Sequence, residues 1–210
     1  MEPERSRPFF EPGELAAFAA RILGNRTTLL RAVHGREKVS PRLREIVMLA
    51  VTEINQCRWC REAHTILGRF AGLKEEELRR LKVGNSRGFS KEEKALVRFG
   101  QRFAHAGGNL DCEEAHAILG AHFPEAEIAA FQSIAQVIHT ANLLGNTFDR
   151  FVLGRLLRRA APEDGRGSWH GEFLVSMLFL QAWPVALPFF SLVSLMNALG
   201  FREPFRPGKG

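Results

Sequence analysis

The stretch from Arg44 to His64 reads REIVMLAVTEINQCRWCREAH and holds the residues on which the interpretation of the chain depends. Cys57 and Cys60 are separated by two residues, and His64 follows four positions after the second cysteine. Two thiols beside an imidazole are typical of redox or metal chemistry, because a neighbouring base can take up a thiol proton. With Glu45 upstream, the stretch predicts a functional thiol site.

The residues before the cysteines predict a helix. Ser40 can cap its first turn, and Pro41 suits the first helical position, where a missing N–H costs nothing. Apolar residues then recur with the helical period as far as Asn55. A second helix is predicted from about Cys57 to Phe70.

On that second helix the thiols and the imidazole share one face. Cys57, Cys60 and His64 lie within an arc of about 60°, because each residue advances about 100° around the axis. The start of a helix stabilises thiolate, and both cysteines fall in its first turn. If the two helices pack antiparallel, Glu45 comes close to His64 and can orient or charge it.

The rest of the chain predicts an all-α fold. Ala, Leu, Arg and Glu dominate, and β-branched alternation is absent. Further helices are expected at about residues 14–23, 74–81, 90–106, 112–119 and 124–157.

Composition excludes several classes of function. The 210 residues include 29 Lys and Arg against 23 Asp and Glu, but no basic run forms a nucleic-acid footprint. Three cysteines cannot build a disulfide scaffold, and the charged first ten residues lack the apolar run of a secretory signal. We therefore expect a cytoplasmic protein, in which Cys-x-x-Cys is catalytic or metal-binding. Cys112, among acidic neighbours, is interpreted as a silent thiol.

The spacing Glu45-x11-Cys57-x2-Cys60-x3-His64 resembles the signature of the alkyl hydroperoxidase D branch of the carboxymuconolactone decarboxylase-like family. The resemblance extends over roughly residues 30–155. It implies a helical bundle that forms homo-oligomers, commonly dimers, trimers or hexamers. It also implies an antioxidant thiol peroxidase or disulfide reductase that works without a metal or organic cofactor.

The resemblance further implies roles for the four motif residues. Cys60 would attack the peroxide, and Cys57 would resolve the sulfenic acid as a redox-active disulfide. His64 and Glu45 would relay the proton, and a lipoyl-type or other thiol donor would reduce the disulfide. The residues themselves leave the nucleophile open: His64 neighbours Cys60, whereas the helix start favours a thiolate on Cys57.

Trp59 departs from the family pattern, because alkyl hydroperoxidase D has a histidine immediately before the second cysteine. One relay group is therefore absent, and Trp59 predicts a drier, more apolar substrate pocket. The alternative functions are a non-catalytic thiol redox sensor and a zinc-stabilised helical binding module, with Glu45 or Cys112 as fourth zinc ligand. Covalent haem attachment is excluded, because Arg61 rather than a histidine follows Cys60.

The last long helix carries a polar stripe on an otherwise apolar sequence, comprising His139, Asn142, Asn146 and Asp149. The simplest interpretation is a face turned to solvent or to another subunit. A sharper hypothesis is that His139 and Asn142 face the cysteine pocket, since buried polar groups need partners.

The C-terminal segment differs in composition from the rest. We predict a helical domain over residues 1–160 and an apolar helical extension over 161–210. Residues 173–199 contain no charged side chain, and Pro184 and Pro188 divide them into two short pieces. We expect two short helices that dock on a subunit or over the active site. Contact with a membrane is the alternative.

Overall fold

The computed structural model describes residues 8–10, 14–28, 39–156 and 170–177. Within these ranges there is no β-strand, which confirms the all-α class. The helices are α1 (Glu14–Gly24), α2 (Pro41–Asn55), α3 (Arg58–Phe70), α4 (Glu75–Lys82), α5 (Lys91–His105), α6 (Cys112–Leu119) and α7 (Glu125–Asp149). A π-helical segment, Arg150–Leu156, continues from α7, and residues 26–28 and 170–177 are also helical.

The helices begin where the capping residues predict. The Ser40 hydroxyl accepts a hydrogen bond from the Leu43 N–H at the start of α2. Ser90 and Glu93 form a reciprocal capping box at the start of α5. Such caps satisfy amide groups that the first helical turn leaves without partners, so these helix starts are determined locally.

Helix α2 lies at the centre of the bundle and packs against α3, α5 and α7. Its apolar face is fully buried, and the core around it is formed by Ile46, Val47, Val51, Leu96, Phe99, Phe131, Ile134 and Ile138. Burial of these side chains supplies most of the drive for folding, because apolar surface leaves water. The site residues of α2 are therefore held on a rigid element.

Gly100 allows α2 and α5 to approach closely. A Cβ atom at this position would lie 2.8 Å from the Cβ of Ala50 and 3.2 Å from the Val47 carbonyl oxygen. Real contacts of that length between carbon atoms do not occur without movement, so a side chain here would push the two helices apart.

The polar stripe of α7 corrects one interpretation. The expectation that it faces solvent or another subunit is wrong, because all four of its residues are buried within this chain. Three of them form hydrogen bonds with the C-terminal half of α2: His139 with Asn55, Asn142 with Thr52, and Asn146 with the Asn55 carbonyl. These polar side chains tolerate burial because α2 supplies their hydrogen-bond partners.

The end of the long helix also differs from the prediction. A single α-helix to about residue 157 is expected, but the α-helical hydrogen bonding ends at Asp149 and becomes π-helical from Arg150. Arg150 donates to Glu172 at 2.9 Å, which ties the π-helical segment to residues 170–177.

The apolar tail lies almost entirely outside the described residues, so the extension over 161–210 and the docking of 173–199 stay predictions. No helix within the described ranges is both long and apolar enough to cross a bilayer. Assembly into an oligomer stays a prediction as well.

Candidate thiol redox site

The two cysteines lie at the turn between α2 and α3. Gln56 adopts a left-handed conformation with φ of 55°, which ends α2 and lets the chain reverse direction. Cys57 then has extended backbone and serves as the N-cap of α3. Its Sγ accepts a hydrogen bond from the Cys60 N–H at 3.4 Å. The first thiol therefore takes the place of the usual capping oxygen.

The thiols are free and close together. The Sγ atoms of Cys57 and Cys60 lie 2.9 Å apart and share a hydrogen bond. Cys57 is completely covered, whereas 8% of Cys60 is exposed. A small substrate can therefore reach Cys60 more directly than Cys57.

Hydrogen bonding makes the two thiols unequal. The hydrogen bond from the Cys60 side chain lowers the pKa of Cys57, despite its burial, and amide N–H groups of the turn act in the same direction. The same side-chain hydrogen bond and burial raise the pKa of Cys60 well above its usual range. When one proton is lost, the negative charge rests on Cys57 and the Cys60 thiol donates to it.

Glu45 and His64 form a second pair close by. The Nδ1 atom of His64 lies 2.7 Å from Oε2 of Glu45, as the antiparallel arrangement of α2 and α3 predicts. Glu45 is 2% exposed, and the Arg44 guanidinium contacts its other carboxylate oxygen at 3.3 Å. With Nδ1–H donated to the carboxylate, the Nε2 atom of His64 is left free to accept a proton.

His64 lies one helical turn after Cys60, on the same side of α3. Within the part of the chain that the structure describes, the imidazole hydrogen bonds with Glu45 and with neither sulfur atom. A water molecule between Nε2 and the thiol would complete a relay, because catalytic proton transfer can pass through one water.

Trp59 is anchored by a hydrogen bond and by aromatic contact, and its role in a substrate pocket stays a prediction. Its indole Nε1–H donates to Oδ1 of Asp149 at 2.7 Å, and its ring meets Phe148 edge-on. The guanidinium of Arg58 pairs with Oδ2 of Asp149 at 3.0 Å and lies 4.6 Å from the centre of the Trp59 ring. The sequence reasoning placed Asp149 on the polar stripe but did not connect it with the cysteines.

His139 and Asn142, the other two predicted pocket residues, are oriented by α2. Nδ1 of His139 lies 2.9 Å from the Asn55 amide nitrogen, and Asn142 accepts a hydrogen bond from Thr52 at 3.2 Å. Burial, with a smaller effect of Arg21, lowers the pKa of His139 to about 4, so its ring is neutral and Nδ1 accepts from Asn55. Their contact with a substrate stays a prediction.

A cavity in the described part of the chain lies away from the two cysteines. It has a volume of about 460 Å³ between α1, the C-terminal end of α5 and α7, and Cys112 and Gln132 are among its lining residues. Within the described ranges, no three side chains of the His, Cys, Asp and Glu types lie close enough together to bind a metal ion. The zinc alternative therefore has no ligand set in this part of the chain.

Comparison with known proteins finds a similarity to one family. The model of the Carboxymuconolactone decarboxylase family matches residues 16–101. This part of the chain is similar to that family. The match confirms the resemblance predicted from the motif, although it begins earlier than expected and ends within α5. No curated protein and no solved structure matches the chain.

The carboxymuconolactone decarboxylase family match contains the whole Glu45, Cys57, Cys60 and His64 motif, and it also contains Trp59. Helix α7 lies beyond the matched range. The contacts of α7 with the cysteine turn are therefore interpreted from the structure of this chain alone.

Proposed function

We propose that the chain is a thiol-dependent peroxidase or disulfide reductase of the alkyl hydroperoxidase D type. The observation that carries the proposal is the arrangement of two free thiols 2.9 Å apart, one turn from a histidine that a buried glutamate orients at 2.7 Å. Nucleophile, base and orienting group are then present together, as an activated thiol requires. The family includes enzymes of this kind.

In the first step the Cys60 thiolate attacks the distal oxygen of a hydroperoxide. The O–O bond breaks, Cys60 becomes a sulfenic acid and is oxidised by two electrons, and the peroxide is reduced to an alcohol. The leaving alkoxide needs a proton. His64 supplies it, directly or through a water, and Glu45 stabilises the charge that the imidazole carries during the transfer.

In the second step Cys57 attacks the sulfur of the sulfenic acid. As it attacks, Cys57 gives its thiol proton to the now neutral His64. A disulfide forms between the two cysteines, and the hydroxyl leaves as water with the proton that His64 passes on. An external dithiol, for example of the lipoyl type, then reduces the disulfide by thiol–disulfide exchange and is itself oxidised to a disulfide. The cycle uses no other redox group.

The lower pKa of Cys57 is compatible with attack by Cys60. The proton that Cys60 donates can pass along the 2.9 Å contact to Cys57, which moves the negative charge to the more accessible sulfur. Cys57 then holds the proton until it acts as the resolving thiol. Assignment of the attack to Cys60 thus rests on its exposure and on His64 one turn away.

The test is peroxide consumption by the full chain with a panel of donors that includes lipoyl dithiols, glutathione and a thioredoxin-type protein. We expect catalytic turnover with at least one dithiol, and the loss of two free thiols per chain when peroxide is added without a donor. A chain whose thiols survive excess peroxide, and which turns over with no donor, would contradict the proposal.

The alternative of a redox sensor uses the same two thiols without turnover. It predicts that one equivalent of peroxide oxidises the pair and that no donor restores it at a catalytic rate. We further propose that the protein acts in the cytoplasm as a homo-oligomer. Sedimentation or light scattering of the full chain tests the oligomer.

A further inference from the structure

One carboxylate holds both residues between the two cysteines. Asp149 accepts the Trp59 indole N–H through Oδ1 at 2.7 Å and pairs with the Arg58 guanidinium through Oδ2 at 3.0 Å. Arg58 also lies over the Trp59 ring at 4.6 Å. The three side chains therefore form a mutually contacting cluster, which we call the Asp149 clamp.

The clamp joins the cysteine turn to the end of the longest helix. Asp149 is the last residue of α7 and is 6% exposed, and the chain becomes π-helical at the next residue. π-Helical hydrogen bonding is rare and is frequently found at functional sites. Here it occurs at the residue that reaches the Cys-x-x-Cys turn.

We propose that Asp149 is the positioning residue of the thiol pair: its carboxylate fixes Arg58 and Trp59, and so the turn between the cysteines, and places a negative charge beside Cys57. The proposal deepens the proposed function and rests on it for the direction of the reaction. The role of Asp149 is to position and polarise, since its carboxylate holds Trp59 and Arg58, the two residues between the cysteines.

The first consequence concerns the geometry of the disulfide. Because Arg58 and Trp59 are anchored, the two sulfur atoms stay near their 2.9 Å separation, and the disulfide can form with little movement of the turn. When the turn is held, less conformational freedom is lost on oxidation to the disulfide. Loosening the clamp should therefore shift the equilibrium towards the dithiol.

The second consequence concerns charge. The negative charge of Asp149 raises the pKa of Cys57 and so opposes the hydrogen bonds from Cys60 and the amides that lower it. Three other charged or titratable pairs lie near the turn. Arg58 of α3 pairs with Asp149, Glu45 of α2 with His64, and Glu53 of α2 with Arg61. Of these, Asp149 is the carboxylate whose removal should leave more thiolate on Cys57 and less on Cys60.

Three variants separate these two consequences. Asp149→Asn keeps an acceptor for the indole and removes the charge, so the midpoint of the alkylation profile against pH should move down by about one unit. Its disulfide should also become about fivefold to tenfold easier to reduce in a glutathione buffer, because a stabilised thiolate stabilises the reduced form. Arg58→Gln leaves the carboxylate uncompensated and should move the midpoint up.

Trp59→Phe removes the indole N–H and retains the carboxylate charge. We expect the equilibrium between disulfide and dithiol to shift towards the dithiol by about threefold to tenfold. The pH midpoint of alkylation should not fall. The matched control is Glu172→Gln, which removes a buried carboxylate paired with Arg150 beside the same π-helical segment. It should leave both measurements within about twofold of the unmodified chain.

The proposal is overturned if Asp149→Asn retains the unmodified midpoint and equilibrium, or if Glu172→Gln shifts them equally. Should Asp149→Asn fail to fold, an unchanged equilibrium in both Arg58→Gln and Trp59→Phe overturns it as well. Neither measurement requires turnover. If the chain has no peroxidase activity, the proposed function is contradicted. The role of Asp149 is still tested by the alkylation midpoint and the reduction equilibrium.

Discussion

Glu45 and His64 are 19 positions apart in the sequence, and their side chains meet at 2.7 Å across the α2–α3 hairpin. The carboxylate is almost fully buried, and the imidazole is tied to it through Nδ1. This contact fixes the imidazole in one tautomer and one orientation, which is the condition for a useful proton relay at its other nitrogen.

The first prediction follows from that contact. Glu45→Gln removes the negative charge that stabilises a protonated imidazole, so kcat/KM for peroxide should fall by about a hundredfold. The control is Glu53→Gln, which removes another largely buried carboxylate of α2, paired with Arg61 at 2.9 Å. That variant should stay within about threefold. Equal losses in both variants, measured by steady-state peroxide consumption, would show that the effect is structural.

The second prediction assigns the two cysteines. Cys60→Ser should abolish peroxide consumption, whereas Cys57→Ser should reduce one equivalent of peroxide and leave a sulfenic acid on Cys60 that a dimedone-type probe labels. Cys112→Ser is the matched control, because this thiol is exposed and distinct from the buried pair. It should keep full activity. Label on Cys57 in the Cys60→Ser variant would reverse the roles.

The helices and most of the thiol site are predictable because their causes are local. Ser40 and Ser90 cap helices within four residues of themselves, and the period of apolar residues identifies the buried face of α2. The pairing of Glu45 with His64 follows from one assumption, that a short turn makes neighbouring helices antiparallel. The Cys-x-x-Cys spacing then predicts thiol redox or metal chemistry.

The contacts of α7 are not predictable in the same way. Trp59 and Asp149 are 90 positions apart, and a helical period shows which residues share a face but not which helix covers that face. The hypothesis for the polar stripe placed its first residues at the cysteines. In the structure His139 and Asn142 contact Asn55 and Thr52 of α2, and Asp149, the last residue of the stripe, contacts Trp59 in the cysteine turn.

The third prediction concerns the close approach of α2 and α5. Gly100→Ala should destabilise the fold by about 1–3 kcal/mol, because the new methyl group would lie 2.8 Å from the Ala50 Cβ atom. Gly24→Ala is the control, since nothing lies within 4 Å of a Cβ atom there. That change should be neutral or stabilise by up to about 1 kcal/mol. Urea unfolding of both variants gives the comparison.

The fourth prediction concerns the neutral imidazole of His139. Burial lowers its pKa from 6.5 to about 4, so the unfolded chain binds a proton more readily than the folded chain between these values. The contribution of His139 to stability is fully present above pH 6.5. It is lost as the pH falls towards 4, by up to about 3 kcal/mol.

His139→Gln isolates this contribution from that of the carboxylates. Glutamine offers an oxygen to the Asn55 amide but does not titrate, so the free energy of unfolding should depend less steeply on pH between 4.5 and 6.5 than in the unmodified chain. Urea unfolding at several pH values measures both slopes. Equal slopes would mean that the folded chain accommodates a charged imidazole at this position, and His139 would then face water or a carboxylate rather than Phe18, Phe103 and Asn55.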